Sequence, residues 1–426
     1  MTLAMVLALA ALVIMIVLIM TDALPFGAPP LLACLLLVVF GLSTVPEAFA
    51  GFVNSSVLMI AFFMVPLAAL QKTRLIERVK TSMVRLVEKG GYRSYALLLV
   101  VVMAGASLPG AGATGYYVLI LALVATIPYT KKLPTSKLMM PLGFATNHPL
   151  APINVALVYG IMLTVLQASG YTQSVSMVTF ALVNLVMALA FLAWALVAYR
   201  LLPEHPIAEP AVNEDQLPSH GAHIPAWKEN VTIAMFLISV VAMMLMSQLG
   251  NLAYVIPGLA AFVVLFIKMV DFQEFRDNLF APVILMMAGV IGVADALAKT
   301  GFTALVGKTV ANAVGTNVPV FVLVLVFALL TSTAATFTGS NIGSVMIFAP
   351  IAIATCMSMG ISPVAAAVAT TVAGWQGAYM PIDGMPALIY GMGRYKLPEF
   401  WKFTVPMYFI RIIALSGAAV LFFPAS

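Results

Sequence analysis

Residues 331–349 read TSTAATFTGSNIGSVMIFA, a small, polar stretch with apolar sequence on both sides. In hydrocarbon every backbone N–H and C=O must be satisfied internally, so a lipid-facing segment has to be unbroken helix. The centre of this stretch, Gly339-Ser340-Asn341-Ile342-Gly343, carries too many hydroxyl and amide groups, and two glycines that loosen the backbone. It predicts a helix-breaking tip that is buried in protein or lines a cavity. A second such stretch, Pro109-Gly110-Ala111-Gly112-Ala113-Thr114-Gly115, lies upstream, with Ala113 standing 227 residues before Ser340. Two tips meeting in mid-membrane predict a binding site for a small anion and its coupling ions, the arrangement of a secondary transporter.

The remainder of the chain fits a multi-spanning membrane protein. Of 426 residues, 63% are hydrophobic and 8% charged, against about 25% charged in soluble domains. The net charge of +5 sits in loops. No Lys/Arg run is interleaved with aromatics as a nucleic-acid surface requires, so the expected partner is the lipid bilayer and not nucleic acid. Cys34 and Cys356 lie in apolar runs and read as small core residues. The apolar run 1–20 lacks a basic flank and a small-residue cleavage site, so it reads as a retained helix. Several later runs fall short of the roughly 20 residues that a straight span needs. The runs 116–128 and 344–358 each follow a glycine-rich tip and read as return arms of re-entrant hairpins. The runs flanking 143–152 and 374–384 read as halves of two broken helices.

These features repeat. At an offset of 227, Leu70-Gln71-Lys72-Thr73 falls on Leu297-Ala298-Lys299-Thr300, Glu47 on Glu274 and Gly112 on Gly339. Past the hairpins the offset becomes 231, where Ala156-Leu157-Val158-Tyr159-Gly160 falls on Ala387-Leu388-Ile389-Tyr390-Gly391 and Gly143 on Gly374. An offset this steady predicts two structural repeats. The first covers 1–202, with a hairpin at about 94–128 and a broken helix at about 138–168. The second covers 230–426, with a hairpin at about 316–358 and a broken helix at about 363–393. Between them, 203–229 is a Pro-rich linker holding His205, His220 and His223. Lys72, Arg74, Arg78, Lys80, Arg85, Lys89 and Arg93 mark the segment after the third span as cytoplasmic, a helix lying on the membrane surface. Its counterpart in the second half keeps only Lys299 and Lys308. That asymmetry predicts an inverted repeat in the cell inner (plasma) membrane, with both termini outside and the 203–229 linker cytoplasmic. The fold class expected is therefore an all-α polytopic membrane protein of two inverted-topology repeats, each with a re-entrant helical hairpin and a broken transmembrane helix.

The site follows from what the tips expose. Helix N-termini beginning at Gly115 and Gly343 aim free N–H groups and positive dipole ends at the bilayer centre. No Lys or Arg is expected inside a span at the midplane, so helix ends, amide and hydroxyl donors and co-bound cations have to balance an anion. Oxygen ligands suit a hard cation such as Na⁺. The expected Na⁺ ligands are Ala113, Thr114, Gly143, Thr336, Ser340, Asn341 and Asp383. The expected substrate-binding residues are Thr114, Gly115, Asn147, His148, Asn341, Ile342, Trp375, Gln376 and Asp383. Thr331, Ser332 and Thr333 read instead as hydroxyls bonded back to the preceding turn. Asp383 has three readings: cation ligand, proton carrier, or cap of the following half-helix. His148 has two: a donor or titrating group toward the substrate, or a structural histidine bonded to a loop carbonyl. Asp295 falls near the interface. No His-Glu-x-x-His, no Gly-x-Ser-x-Gly elbow and no paired aspartates occur, which argues against an intramembrane enzyme.

On these residues the chain resembles the divalent anion:sodium symporter family of the ion transporter superfamily. Ser340-Asn341 is similar to two residues of that family's Ser-Asn-Thr tip, with Ile342 in the third place, and Ala113-Thr114-Gly115 matches the first tip in position. Residues 387–393, ALIYGMG, look like the family's glycine-rich segment after the second break, with Pro386 where the family has Asn; Asn154 fills that role in the first break. The resemblance implies a homodimer with a fixed scaffold and a moving, elevator-type transport domain. It also implies sodium-coupled symport and a di- or tricarboxylate or sulfate substrate. Asp383 is extra to the family pattern and leaves open proton-coupled anion transport or a Na⁺/H⁺ antiporter of the same superfamily.

Overall fold

The computed structural model describes residues 2–20, 23–25, 27–74, 86, 89–107, 114–126, 133–151, 155–207, 224–302, 305, 309, 312, 318–338, 341–381 and 384–424. Among these residues the fold is all helical, with no strand. Among the described residues, six helices are long and apolar enough to cross a membrane, and seven shorter apolar helices accompany them. The chain is a multi-pass membrane protein.

The first half comprises α1 (Leu3–Met20), α2 (Ala28–Val39), the single turn α3 (Val45–Ala48), α4 (Ser55–Gln71), α5 (Gly91–Ala106), α6 (Thr114–Thr126), α7 (Thr135–Ala145), α8 (Ala156–Ala168) and α9 (Met177–Val197). The second half comprises α10 (Ala226–Met244), α11 (Asn251–Phe266), α12 (Phe272–Leu279), α13 (Pro282–Lys299), α14 (Val320–Thr338), α15 (Asn341–Ser358), α16 (Val364–Ala373), α17 (Gly384–Gly393) and α18 (Leu397–Phe422). Both predicted broken helices are present: α7 and α8 are separated by 146–155, and α16 and α17 by 374–383. The return arms start earlier than Gly115 and Gly343, at Thr114 and Asn341. At 18 residues α15 is about 27 Å long, more than a short return arm. In the first hairpin Tyr116 Oη of α6 donates to Val102 O of α5 at 2.8 Å. The surface helix expected after Lys72 falls largely on 75–85 and 87–88, outside the described residues.

Contacts at positions related by the sequence offset come in pairs. Glu47 accepts the backbone N–H of Thr44 at 2.8 Å and so caps α3; Glu274 accepts that of Asp271 at 2.9 Å and caps α12. Thr73 donates back to Leu70 O, and Thr300 to Leu297 O. Lys72, just past α4, forms an ion pair with Glu274, while Lys299, ending α13, pairs with Glu47 at 3.0 Å. Glu47 precedes α4 and Glu274 precedes α13, so the end of each helix meets the start of the other. The two equivalent helices, packed together, therefore run antiparallel. The broken helices show the same exchange: α7 packs on α17, and α8 on α16. Close packing has local causes. A Cβ on Gly292 would overlap Ala48 O, and one on Gly51 would overlap Ala288 O, so α13 lies against residues 48–51, the end of α3 and the turn after it, only because both positions are glycine.

Cys34 and Cys356 are both buried and free. Asp295 is half exposed and pairs with Lys299 at 2.8 Å. The start of the linker docks on α7: Ser136 Oγ donates to Pro203 O, the His205 N–H donates to Ser136 Oγ, and Lys137 pairs with Glu204 at 2.7 Å. His220 and His223 lie outside the described residues.

Candidate functional site at the two helix breaks

Both half-helices entering the breaks end in the same way. The N–H groups of Thr146, Asn147 and His148 donate three residues back, to Gly143, Phe144 and Ala145. Those of Trp375 and Gln376 donate to Val372 and Ala373. This tightening of the last turn satisfies some carbonyls and stops the helix. Ala378, in the second break, holds a left-handed φ of 74°. That geometry costs a non-glycine residue about 1–3 kcal/mol and marks functional positions.

The breaks touch each other. Asn147 Nδ2 donates to Trp375 O at 2.9 Å, joining the first break to the second. Asn147 is 4% exposed, and its Oδ1 has no hydrogen-bond partner among the described residues. A small cavity of about 20 Å³, lined by Asn147, Val155, Asn184, Trp375 and Gln376 among others, lies here. That is room for roughly one water. The second hairpin closes on the second break through two glycines. A Cβ on Gly374 would stand 3.0 Å from Asn341 O and overlap Val345, and a Cβ on Gly377 would stand 3.0 Å from Ser332 O and overlap Thr336 Oγ1. Gly143 packs likewise, 2.6 Å from Ile389 and 3.0 Å from Leu121 were a Cβ present.

The structure overturns one expectation. Arg411 lies near the middle of α18, 1% exposed, where no basic residue was expected. Its Nε donates to Met407 O at 3.3 Å. Nη1 donates to His148 Nε2 at 3.2 Å and Gln376 Oε1 at 3.0 Å. Nη2 donates to Gln376 O at 2.8 Å and Gly377 O at 3.1 Å. A guanidinium has five N–H donors, and each has an acceptor here. No carboxylate pairs with it among the described residues. The two carbonyls it holds belong to the unwound backbone after α16, so Arg411 ties the break down where helix bonding is lost.

His148 is fully buried, stacked on Phe191 of α9 with ring centroids 4.1 Å apart. Its Nδ1 lies 2.7 Å from Phe144 O. A carbonyl only accepts and a guanidinium only donates, so Nδ1 carries the proton and Nε2 is bare. His148 is thus a neutral imidazole with both nitrogens engaged, matching the structural reading with a helix carbonyl in place of a loop one.

Thr336 is buried and donates back to Ser332 O at 2.8 Å. Thr331 and Ser332 bond back to Phe327 O and Ala328 O as expected, and Tyr408 Oη of α18 reaches Ser332 and Thr333, both at 2.9 Å. One helix, α18, therefore braces both the hairpin arm α14, through Tyr408, and the second break, through Arg411. Asn341 and Ile342 open α15, half-buried, and Thr114 and Gly115 open α6. Ala113, Ser340 and Asp383 lie outside the described residues, as do the tip glycines Gly112 and Gly339. Asn184, Tyr408 and Arg411 are site residues that the sequence reading missed.

Two adjoining helix breaks, buried beneath a hairpin and holding an ionised side chain within a bundle of apolar helices, define a polytopic membrane transporter. The chain belongs to the citrate transporter family, CitMHS, which matches residues 16–373; that family is related to the divalent anion:sodium symporters within the ion transporter superfamily. It is 28% identical over 189 residues to the Escherichia coli transporter YfbS, covering 44% of this chain and 30% of that protein. It is 29% identical over 133 residues to a Synechocystis transporter, covering 31% of this chain and 21% of that one. The matches thus span less than a third of those relatives' length. In fold the chain is similar to the YdaH transporter of Alcanivorax borkumensis, described as having an unusual topology. The TM-score is 0.63 and the identity 16%, over 90% of this chain and 88% of that one. It is also similar to MtrF of Neisseria gonorrhoeae, described within a class of antimetabolite efflux pumps, with TM-score 0.59 and 12% identity over 89% and 83% of the two chains.

Proposed function

We propose that this protein is a sodium-coupled symporter of a small organic anion, a di- or tricarboxylate, built from two inverted repeats, 1–202 and 230–426. The observation that carries the reading is the junction of the two breaks at Asn147 and Trp375, with the Arg411 charge fixed beside it. Charged groups are retained inside a membrane chiefly at substrate and ion pathways. A positive side chain, together with the N-termini of α6 and α15, favours an anion over a cation. The family description, citrate transporter, fits a tricarboxylate. Hydroxyl, carbonyl and carboxylate oxygens at Ala113, Thr114, Gly143, Thr336, Ser340, Asn341 and Asp383 are the donor set for Na⁺. Asn147, His148, Trp375 and Gln376, with Thr114, Gly115, Asn341, Ile342 and Asp383, form the substrate's walls. His148 acts there through Arg411. The antiparallel exchange of Lys72–Glu274 and Lys299–Glu47 supports inverted topology. A homodimeric scaffold in the plasma membrane, with 203–229 cytoplasmic, and an elevator movement of hairpins and broken helices complete the proposal. Uptake of labelled citrate or succinate into proteoliposomes tests it. An inward Na⁺ gradient drives uptake, and a K⁺ gradient of equal size does not. Uptake that responds only to a proton gradient overturns the sodium assignment, and no uptake under any gradient overturns the symport reading.

A further inference from the structure

Arg411 has an arrangement that hydrogen bonding alone does not require. Its donors are fully used by neutral groups: three carbonyl oxygens, one amide oxygen and one bare imidazole nitrogen. Its contacts satisfy the guanidinium's geometry and leave its charge uncompensated by any described carboxylate. His148 adds no charge, since its proton sits on the far nitrogen, against Phe144 O. A second proton on His148 would press an N–H against Nη1 of Arg411, so the arrangement holds the imidazole neutral. The result is one fixed positive charge behind the second break. Gln376 connects it to the cavity, lining that cavity with Asn147 and Trp375 while its Oε1 accepts from Arg411.

We infer that Arg411 is the positioning residue that gives this site its preference for multiply charged carboxylates. It acts through Gln376 and Gly377 and not by touching the ligand. Its field draws the anion, and its bonds to Gln376 O and Gly377 O hold the unwound backbone in the shape that receives it. Because Arg411 has no donor left, a ligand carboxylate takes its hydrogen bonds from amide and backbone N–H groups. The charge sets how strongly each added carboxylate counts. This inference rests on the anion-transport reading.

The test compares Arg411→Lys, Arg411→Met and Gln376→Glu in the full chain. Arg411→Met and Arg411→Lys carry the support; Gln376→Glu serves only to overturn the inference, since Gln376 lines the cavity and a carboxylate there also repels the anion directly. Gln376→Glu keeps an acceptor oxygen opposite Nη1 and every other bond of Arg411, but adds a carboxylate that cancels the charge. Binding is read as ligand-induced thermal stabilisation of the detergent-solubilised protein by citrate and by succinate, and transport as proteoliposome uptake. Arg411→Met and Gln376→Glu are expected to weaken citrate binding at least about tenfold, and succinate binding by a smaller factor. Arg411→Lys keeps the ratio of citrate to succinate affinity and lowers the maximal rate, because an ammonium lacks the fork that pins both carbonyls. A purely structural role weakens both ligands equally, and that result, or a folded Gln376→Glu variant with wild-type citrate affinity, overturns the inference. Wild-type protein that is stabilised by citrate but shows no uptake sinks the symport reading alone. Wild-type protein stabilised by neither anion sinks both.

Discussion

Gly377→Ala places a methyl group where the second break meets the second hairpin. The new Cβ would overlap Thr336 Oγ1 and stand 3.0 Å from Ser332 O. Ser332 O already accepts from Thr336 and belongs to α14, so the break has to move instead. Overpacking of this kind costs about 1–3 kcal/mol. The movement also pulls Gly377 O, now 3.1 Å from Nη2, away from Arg411, and a hydrogen bond to a charged group is worth roughly 1.5–3 kcal/mol. The expected loss is therefore about 2.5–6 kcal/mol of stability. Thr336→Ala removes the obstructing Oγ1, so the double variant is expected to be more stable than the sum of its parts by at least about 1 kcal/mol. Equilibrium unfolding in detergent micelles measures all four corners of the cycle, with citrate uptake alongside. Strict additivity, to within about 0.5 kcal/mol, or a Gly377→Ala variant as stable as wild type, would refute the packing argument.

Other consequences follow from the same geometry. Ala378→Gly relieves a left-handed strain of about 1–2 kcal/mol at the expense of a smaller gain in unfolded-chain freedom, so thermal melting is expected to show modest stabilisation, up to about 1 kcal/mol. Reversing one exchanged ion pair as Lys72→Glu with Glu274→Lys recovers the ion-pair part of what either single change loses, while the cap that Glu274 gives the Asp271 N–H stays lost. The interaction stays below about 1 kcal/mol because both side chains are over a third exposed, 36% and 38%; the same cycle on Lys299 and Glu47 gives a coupling of similar size. The Glu47 carboxyl is held down to about 2 by the Thr44 backbone N–H, then by the Thr44 hydroxyl and Lys299. Its contribution is full above its ordinary 4.5 and fades as pH falls toward 2. Glu47→Gln is therefore expected to lower stability at neutral pH, converge with wild type near pH 2, and so flatten the acid limb of the stability–pH curve across that window.

Much of the architecture was legible because membrane solvation leaves few choices. Glycines and hydroxyls interrupting oily sequence located both breaks to within a few residues, and the offset of 227 marked Glu47, Lys72, Glu274 and Lys299 as equivalents that the fold then pairs crosswise. The site was less legible. Asn147 and Trp375 were recognisable as break residues, but that one donates to the other's carbonyl depends on how α7 and α16 approach. Arg411 was the avoidable miss: it stands alone in the run FTVPMYFIRIIALSGAAVLFF, and a single ionisable residue there is a functional signal. Reading every basic residue as a topology marker hid it. Asn184 and Tyr408 carried no such signal, since amides and tyrosines in membrane helices commonly serve packing.

The most direct test is protection of the breaks by ligand. Single cysteines at Asn147 and Gln376, in a background of Cys34→Ala and Cys356→Ala, are labelled with a small maleimide in proteoliposomes, with and without citrate and Na⁺. If the two breaks wall one anion site, citrate slows labelling at both positions, and Na⁺ strengthens the effect. Labelling at each position that is indifferent to citrate, or slowed at one break and unchanged at the other, would contradict the account.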